Sequence, residues 1–254
     1  MATPAAAGAT ALVRQYLTMN NNQKLLKYEL LNKNPQTLSG SLIKAILINS
    51  GEAMTGNLNI NGKMLFMGLS YLNTPNSYNG FGRVNLKNVL PLDHEPEIAA
   101  QIGNLTLINR KSLEPGSFIN MKFVVTSNTD VKMTITWYDL AGTITYSSTA
   151  AQIRNDIDLK VTIQGKTYFG NSALTNNQNY DAINTVETVY IPSVPIGTSM
   201  LVTVSAKTTN KGSQTFSMCM TGSVVSEISS ATSNTGMLHI GGLFLVVMIT
   251  LLLQ

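Results

Sequence analysis

Asn155, Asp156 and Asp158 form the acidic cluster that abuts a strand-like run. Hard oxygen ligands at close spacing suit Ca2+. Strand alternation sets Asp156 and Asp158 on one face and Asn155 on the other. Two carboxylates are too few for a full calcium site, so loop carbonyls, Asp181 or Glu187 would have to join them. The competing role for all three is turn chemistry, with hydrogen bonds to neighbouring backbone. Ca2+ is the one cofactor that the sequence raises.

The other reactive residue types offer less. His94 follows Asp93 in a Pro-bounded stretch, and adjacent residues do not hold the geometry of a base and its orienting acid. His239 lies in a hydrophobic tail. With these two histidines alone, a catalytic histidine or a His-rich metal site has very few places to be. Cys219 is the single cysteine, which excludes an internal disulfide framework and a Cys-rich zinc site. It falls in the alternating run Thr215–Met220 and reads as a small, half-buried strand residue. Gly197-Thr198-Ser199-Met200 imitates half of a nucleophile motif, but Leu-Val-Thr-Val-Ser follows, which is a strand, so Ser199 is not read as a nucleophile. Asn104-Leu105-Thr106 is the one N-glycosylation sequon.

The elements that must position these residues change character along the chain. Charged residues are 12% of 254, the net charge of +4 is scattered, and no basic run forms a nucleic-acid footprint. Residues 3–17 read as a helix, with Thr3 as N-cap and Pro4 at the first helical position. Ala5, Ala6, Ala7, Gly8, Ala9 and Ala11 put small residues on nearly every face, which suits a buried helix. A second helix is expected over 42–48, behind Ser39 or Ser41 and stopped by Asn49-Ser50-Gly51. Residues 55–80 read as loop with one hairpin.

From about residue 100 the period becomes two. Strands are expected at 105–108, 118–126, 132–138, 159–163, 167–169, 186–191, 201–206 and 215–220, the pattern of a β-sandwich or jelly roll. Pro91 to Pro96 reads as the linker. After Gly222 the chain turns Ser/Thr-rich, then hydrophobic from Met237 to Leu253 without a charge. As a helix this run spans roughly 25 Å, slightly short of a bilayer core. Ser229-Ser230-Ala231, a polar spacer and an apolar tail also fit a GPI-attachment signal. The expected division is therefore 1–92, a β-domain at 100–225, a Ser/Thr-rich stalk at 226–235, and a membrane segment or GPI signal at 236–254. Residues 1–9 do not read as a secretory signal, and the expectation is that the true N-terminus lies upstream of Met1.

Three stretches in order carry a family resemblance. Met1-Ala2-Thr3-Pro4-Ala5-Ala6-Ala7-Gly8-Ala9 resembles the segment after the nucleophile in subtilisin-like serine peptidases, whose pattern is Gly-Thr-Ser-Met-Ala-Thr/Ser-Pro, two variable residues, then Ala-Gly. Ser41–Ala53 resembles that family's next helix. Gly80-Phe81-Gly82-Arg83-Val84-Asn85 resembles its Gly-aromatic-Gly-Arg-Val-Asn turn. Further on, Thr134–Asp139, Asn155–Leu159 and Asn184–Glu187 resemble the jelly-roll domain appended to some large members.

The resemblance implies an α/β remnant, the C-terminal part of a subtilisin-like domain, followed by an all-β jelly-roll or β-sandwich domain and a hydrophobic C-terminal helix. It implies peptide-bond hydrolysis in the intact parent. The serine would immediately precede Met1, with Asp and His earlier still, so no catalytic residue is assigned within this chain and the chain by itself is expected to be inactive. The partners would be a protein or peptide substrate of the parent and a membrane reached through residues 236–254, with no nucleic acid. Localisation would be membrane-tethered, at the cell surface or in the secretory pathway. A second reading is a non-catalytic, membrane-tethered surface protein whose β-domain is a binding module, with Trp137 and Asn176–Asn179 against a ligand, although Trp137 equally suits the core.

Overall fold

The protein is described by a computed structural model covering residues 2–18, 28–30, 38–52, 57–60, 63–66, 75, 80–92, 95–142, 152–172, 180–210 and 212–227. Helix α1 (Ala2–Thr18) and helix α2 (Gly40–Asn49) precede most of the strands, with β1 (Tyr28–Leu30) between them. Four short strands follow: β2 (Gly51–Glu52), β3 (Asn57–Ile60), β4 (Lys63–Phe66) and β5 (Arg83–Val84). The stretch read as a linker contains the start of a short helix, α3 (Pro96–Ile102), with Pro at its first turn.

The β region is a sandwich of two five-stranded sheets. Its strands are β6 (Asn104–Leu113), β7 (Phe118–Val125), β8 (Thr129–Trp137), β9 (Asp156–Ile163), β10 (Lys166–Phe169), β11 (Val186–Val194), β12 (Ser199–Thr208), β13 (Gln214–Gly222) and β14 (Val224–Glu227). One sheet runs β1-β6-β13-β8-β11 and the other β10-β9-β12-β7-β14. The expected strands are all present, most of them longer than expected, although β7 and β8 each end one residue before the expected bound. β1, which pairs parallel to β6, and β14 carry too few alternating residues to be read from sequence. Because β14 ends at Glu227, the first two residues of the expected stalk are strand.

Between the sheets lies a core that includes Phe123, Met133, Ile135, Trp137, Leu159, Val161, Val202, Val204 and Phe216. A second core joins Val13 of α1, Leu42, Ala45 and Ile46 of α2, and Val89 and Leu90 to Leu105, Leu107 and Cys219 of the sandwich. Residues on both sides of 92–100 thus share one apolar interior.

α2 lies on the outer face of the first sheet, and a polar seam fixes it there. Its N-cap Ser39 accepts from Leu42 N. The Ser41 and Ser217 hydroxyls meet at 2.8 Å, and Thr136 Oγ1 donates to Ser41 O at 2.7 Å. At the other end Asn49 donates to Thr221 and accepts from Thr134. Lys132 Nζ donates to Gly51 O at 2.9 Å, beyond the helix C-terminus, where the helix dipole favours a cation. Burial pulls the Lys132 amine down to about 8.

The expectation of a buried α1 is corrected. Only Val13 is buried, and the Ala-rich first turns are exposed. Among the described residues, packing reaches α1 only along its C-terminal half, where Tyr16 donates to Pro91 O.

Candidate functional site

The acidic residues gather at one edge of β9. This strand pairs with β12 from Asp156 to Ile163, but with β10 only from Lys160 to Ile163. Ile157 and Leu159 face the core, so Asp156 and Asp158 share the opposite face, as alternation requires. Beyond β10, Gly170 N still donates to Leu159 O at 2.9 Å. Asn171, at φ 52°, then turns the chain away.

A side chain fills the place vacated by β10. Glu187 Oε2 accepts from Leu159 N at 2.6 Å. Glu187 comes from β11, in the other sheet, opposite Ile135, so its carboxylate bridges the two sheets. Its residue is fully buried. Gly170 makes this approach feasible, because a Cβ there would lie 2.2 Å from Glu187 Oε2.

Asp156 Oδ1, Asp158 Oδ1 and Glu187 Oε1 are all buried and have no hydrogen-bond partner among the described residues. Among the described residues the one ion pair at the cluster is Lys207 Nζ to Asp156 Oδ2 at 3.8 Å, and the lysine side chain is more than half exposed. Asp181 stands nearby but is saturated. It accepts from the Ile183 and Asn184 backbone N–H groups and from the Asn171 and Asn184 amides.

The electrostatics follow from burial and like charge. Burial, then the neighbouring Asp156 carboxylate, pushes Asp158 up to about 7. Burial pushes Glu187 well above the usual carboxylate range, with Asp158, Asp181 and Asp156 adding to it against the Leu159 N–H. Asp156 is raised by burial and held back by Lys207. Tyr180, edge-on to Phe169 at 4.8 Å, is raised by burial and by the Asp158 and Glu187 charges. Buried carboxylates without counter-charge must hold protons or a cation. Among the described residues no three His, Cys, Asp or Glu side chains already stand in the geometry of a metal site.

Asn155 is engaged elsewhere. Its amide donates to Gln214 Oε1 at 2.5 Å, its Oδ1 accepts from Asn210 N, and its carbonyl accepts from Trp137 Nε1. It closes the end of the sandwich on the face away from the carboxylates. The residue the motif reading underweighted is Glu187. Its signal was an acid at core parity, two residues before the core residue Val189.

The remaining candidates are structural where they are described. Ser199 opens β12 opposite Val124. Cys219 is fully buried, more than its strand pattern implied, and its thiol is pushed up by that burial, which makes it unreactive. The sequon is built into β6, where Asn104 Nδ2 donates to Val224 O at 2.7 Å. Trp137 is core, so it is unavailable to a ligand. Asp93, His94, Asn176–Asn179, His239 and the segment 236–254 lie outside the described residues. Among the described residues no helix is long and apolar enough to cross a membrane.

A cleft of about 600 Å³ opens beside Gln101, Asn128, Asp130 and Ser193. Its polar groups are largely spent on one another. Asp130 accepts from Tyr190 Oη and Ser193 N, and Asn128 from Ile196 N.

No known family model matches the chain, and no curated protein matches it. Among solved structures, "CBM35 from Cellvibrio japonicus Abf62" matches 73% of this chain and 96% of that one, at 16% identity and a TM-score of 0.23. A superposition that loose carries no argument about ligand or activity. The sandwich assignment rests on the strand pairing itself.

Proposed function

We propose that this chain is the C-terminal portion of a subtilisin-like serine endopeptidase, with the β-sandwich as an accessory domain that buttresses the helix after the nucleophile. The observation that carries the reading is the meeting of two of its motifs. Gly51-Glu52 at the end of the second helix pairs antiparallel with Arg83-Val84 of the Gly80–Asn85 turn. Glu52 takes Arg83 at 3.0 Å and Asn85 at 2.8 Å. Gly82, at φ 95°, lies so close that a Cβ would sit 2.2 Å from Glu52 O. The motif glycine and polar residues therefore have a joint physical purpose.

The exposed small-residue faces of α1 support the same reading, since a subtilisin-like domain would pack on them. In the intact parent a serine attacks the peptide carbonyl, a histidine removes its proton and an aspartate orients that histidine. A helix N-terminus at the nucleophile directs backbone N–H groups and a positive dipole end toward the developing oxyanion.

The test is the transcript immediately upstream of the Met1 codon, joined to an activity assay. Codons for Gly-Thr-Ser running into Met1, with peptide hydrolysis by the extended protein and none by the 254-residue chain, are the expected result. An in-frame stop there, or turnover by the purified 254-residue chain that a serine-directed inhibitor abolishes, overturns the reading.

The proposal includes a membrane tether through residues 236–254, at the cell surface or in the secretory pathway. Leaving Leu243, Leu245, Leu251, Leu252 and Leu253 in water would forgo about 1.5–3 kcal/mol of burial for each. A secreted reporter carrying residues 226–254 should stay on the cell, and its recovery wholly in the medium would exclude the tether. Release by a phosphoinositide-specific phospholipase would identify a GPI anchor, and retention a spanning helix.

A further inference from the structure

We infer that Lys132 takes a short, uncharged aldehyde as an imine in a cavity between α2, α3 and the first sheet. This goes beyond the peptidase reading and stands whether or not that reading does. Lys132 is buried, and its Nζ donates to Gly51 O at 2.9 Å and to Ile48 O at 3.5 Å. Among the described residues no carboxylate forms an ion pair with it. A cavity of about 230 Å³ opens beside it, walled also by Asn88, Gln101, Asp130, Tyr190 and Thr221.

What carries the inference is the match between this setting and a neutral amine, which has two N–H groups and one lone pair. The two carbonyls take both N–H groups and have no hydrogen to give the lone pair. Donors in the cavity wall are used elsewhere. Tyr190 Oη donates to Asp130, the Asn88 amide to Ser50 O and the Asn49 amide to Thr221 Oγ1. The lone pair is left for a ligand.

The charges around the cavity are matched without Lys132. Lys87 meets Glu95 at 2.7 Å, Asp130 accepts from Tyr190 Oη and Ser193 N, and burial keeps the Cys219 thiol of β13 neutral. The carbonyls at the end of α2 favour an ammonium and burial opposes it. Burial prevails and holds the amine at about 8, within reach of neutral pH. A desolvated lysine of this kind is a nucleophile toward carbonyl carbon. Its lone pair attacks the aldehyde carbon, and the carbonyl oxygen leaves as water with both amine hydrogens, which gives C=N. Protonation of the imine nitrogen restores one N–H for Gly51 O. No oxidant or reductant enters. Matched charges favour an uncharged ligand, and the amide and hydroxyl groups of the wall suit a hydroxyl beside the aldehyde.

Glycolaldehyde with cyanoborohydride, which reduces the imine to a stable hydroxyethyl amine, tests this on the full chain. Peptide mapping by mass spectrometry reads the rate at each lysine. At about pH 7.5 an ordinary lysine is neutral in roughly one molecule in a thousand, and an amine near 8 in roughly one in four. Burial slows access, so Lys132 should be labelled about tenfold faster than the exposed Lys111 and Lys122. Its rate should level off above about pH 8, while theirs climb toward about pH 10. The lead should vanish in concentrated urea, and Lys132→Arg should remove the fast label and leave the others unchanged. If Lys132→Arg fails to fold, the pH profile of the parent chain decides. A Lys132 rate no greater than those of Lys111 and Lys122 in the folded chain, or a lead that persists in urea, overturns the inference.

Discussion

Asp158→Asn should raise the unfolding free energy of the full chain by roughly 2–3 kcal/mol at pH 8 in the presence of a chelator, and the gain should vanish near pH 4. The Asp158 carboxyl is raised from 3.8 to about 7 by burial and by Asp156. A carboxyl whose folded pKa is raised binds its proton more tightly in the folded state. Below about pH 4 it is protonated folded or unfolded and costs nothing. Between about pH 4 and 7 the unfolded chain releases the proton first, so stability falls as pH rises. Above about 7 the full penalty remains.

Three pK units correspond to a ceiling of about 4 kcal/mol. Solvent at the edge of β9 and the need to accommodate an uncharged amide reduce that to roughly 2–3 kcal/mol. The raised Asp156 and Glu187 act in the same direction, so the unmodified protein should also be more stable at pH 5 than at pH 8 without divalent ions. Urea denaturation at pH 4, 6 and 8 with chelator measures both. A variant less stable than the parent at pH 8, or a parent that gains stability from pH 5 to 8, would contradict the assignment of Asp158 as a buried, uncompensated acid.

Trp137→Ala should cost about 4 kcal/mol, the range for emptying a large aromatic site in a core. Trp137 is almost wholly buried, pairs with Phe216 across β8 and β13, and donates its indole N–H to Asn155 O at 2.9 Å. Truncation removes the packing and leaves that buried carbonyl without its donor. At the size of this domain such a loss lowers the melting temperature by roughly 10 °C. Trp137→Phe keeps most of the volume and loses the hydrogen bond, so it should cost about 1–2 kcal/mol. Because Trp137 is the single tryptophan, circular dichroism must follow the variants. A Trp137→Ala chain within 1 kcal/mol of the parent would show that the end of the sandwich closes without it.

The carboxylate site was half legible. The pair Asp156 and Asp158 could be read from their spacing, since a period of two places i and i+2 on one face. Glu187 could be named only as one acid among several. Its selection depends on β10 stopping at Phe169, on Gly170 lacking a side chain, and on β11 lying in the opposite sheet. Asn155 was grouped with the pair by sequence adjacency, but alternation turns it to the other face, toward Gln214 and Asn210.

Local pattern by itself determined eight of the sandwich strands, narrowed the N-cap of α2 to Ser39 or Ser41, and set the stop at Asn49-Ser50-Gly51 and the inward set of apolar side chains. Each of these depends on neighbours within a few residues, which periodicity and capping report directly. It did not determine what covers the polar faces of the strands. Thr134, Thr136, Thr188 and Ser217 occupy the polar parity of their strands, alternating with core residues, yet all are buried. α2 lies over them and spends its own Ser41 and Asn49 on their hydroxyls. The same packing drew Leu105, Leu107 and Cys219 into one core with α1 and α2. A small hydroxyl on a strand has the same sequence signature under water as under a helix that supplies its hydrogen bonds, and only the tertiary contact distinguishes the two.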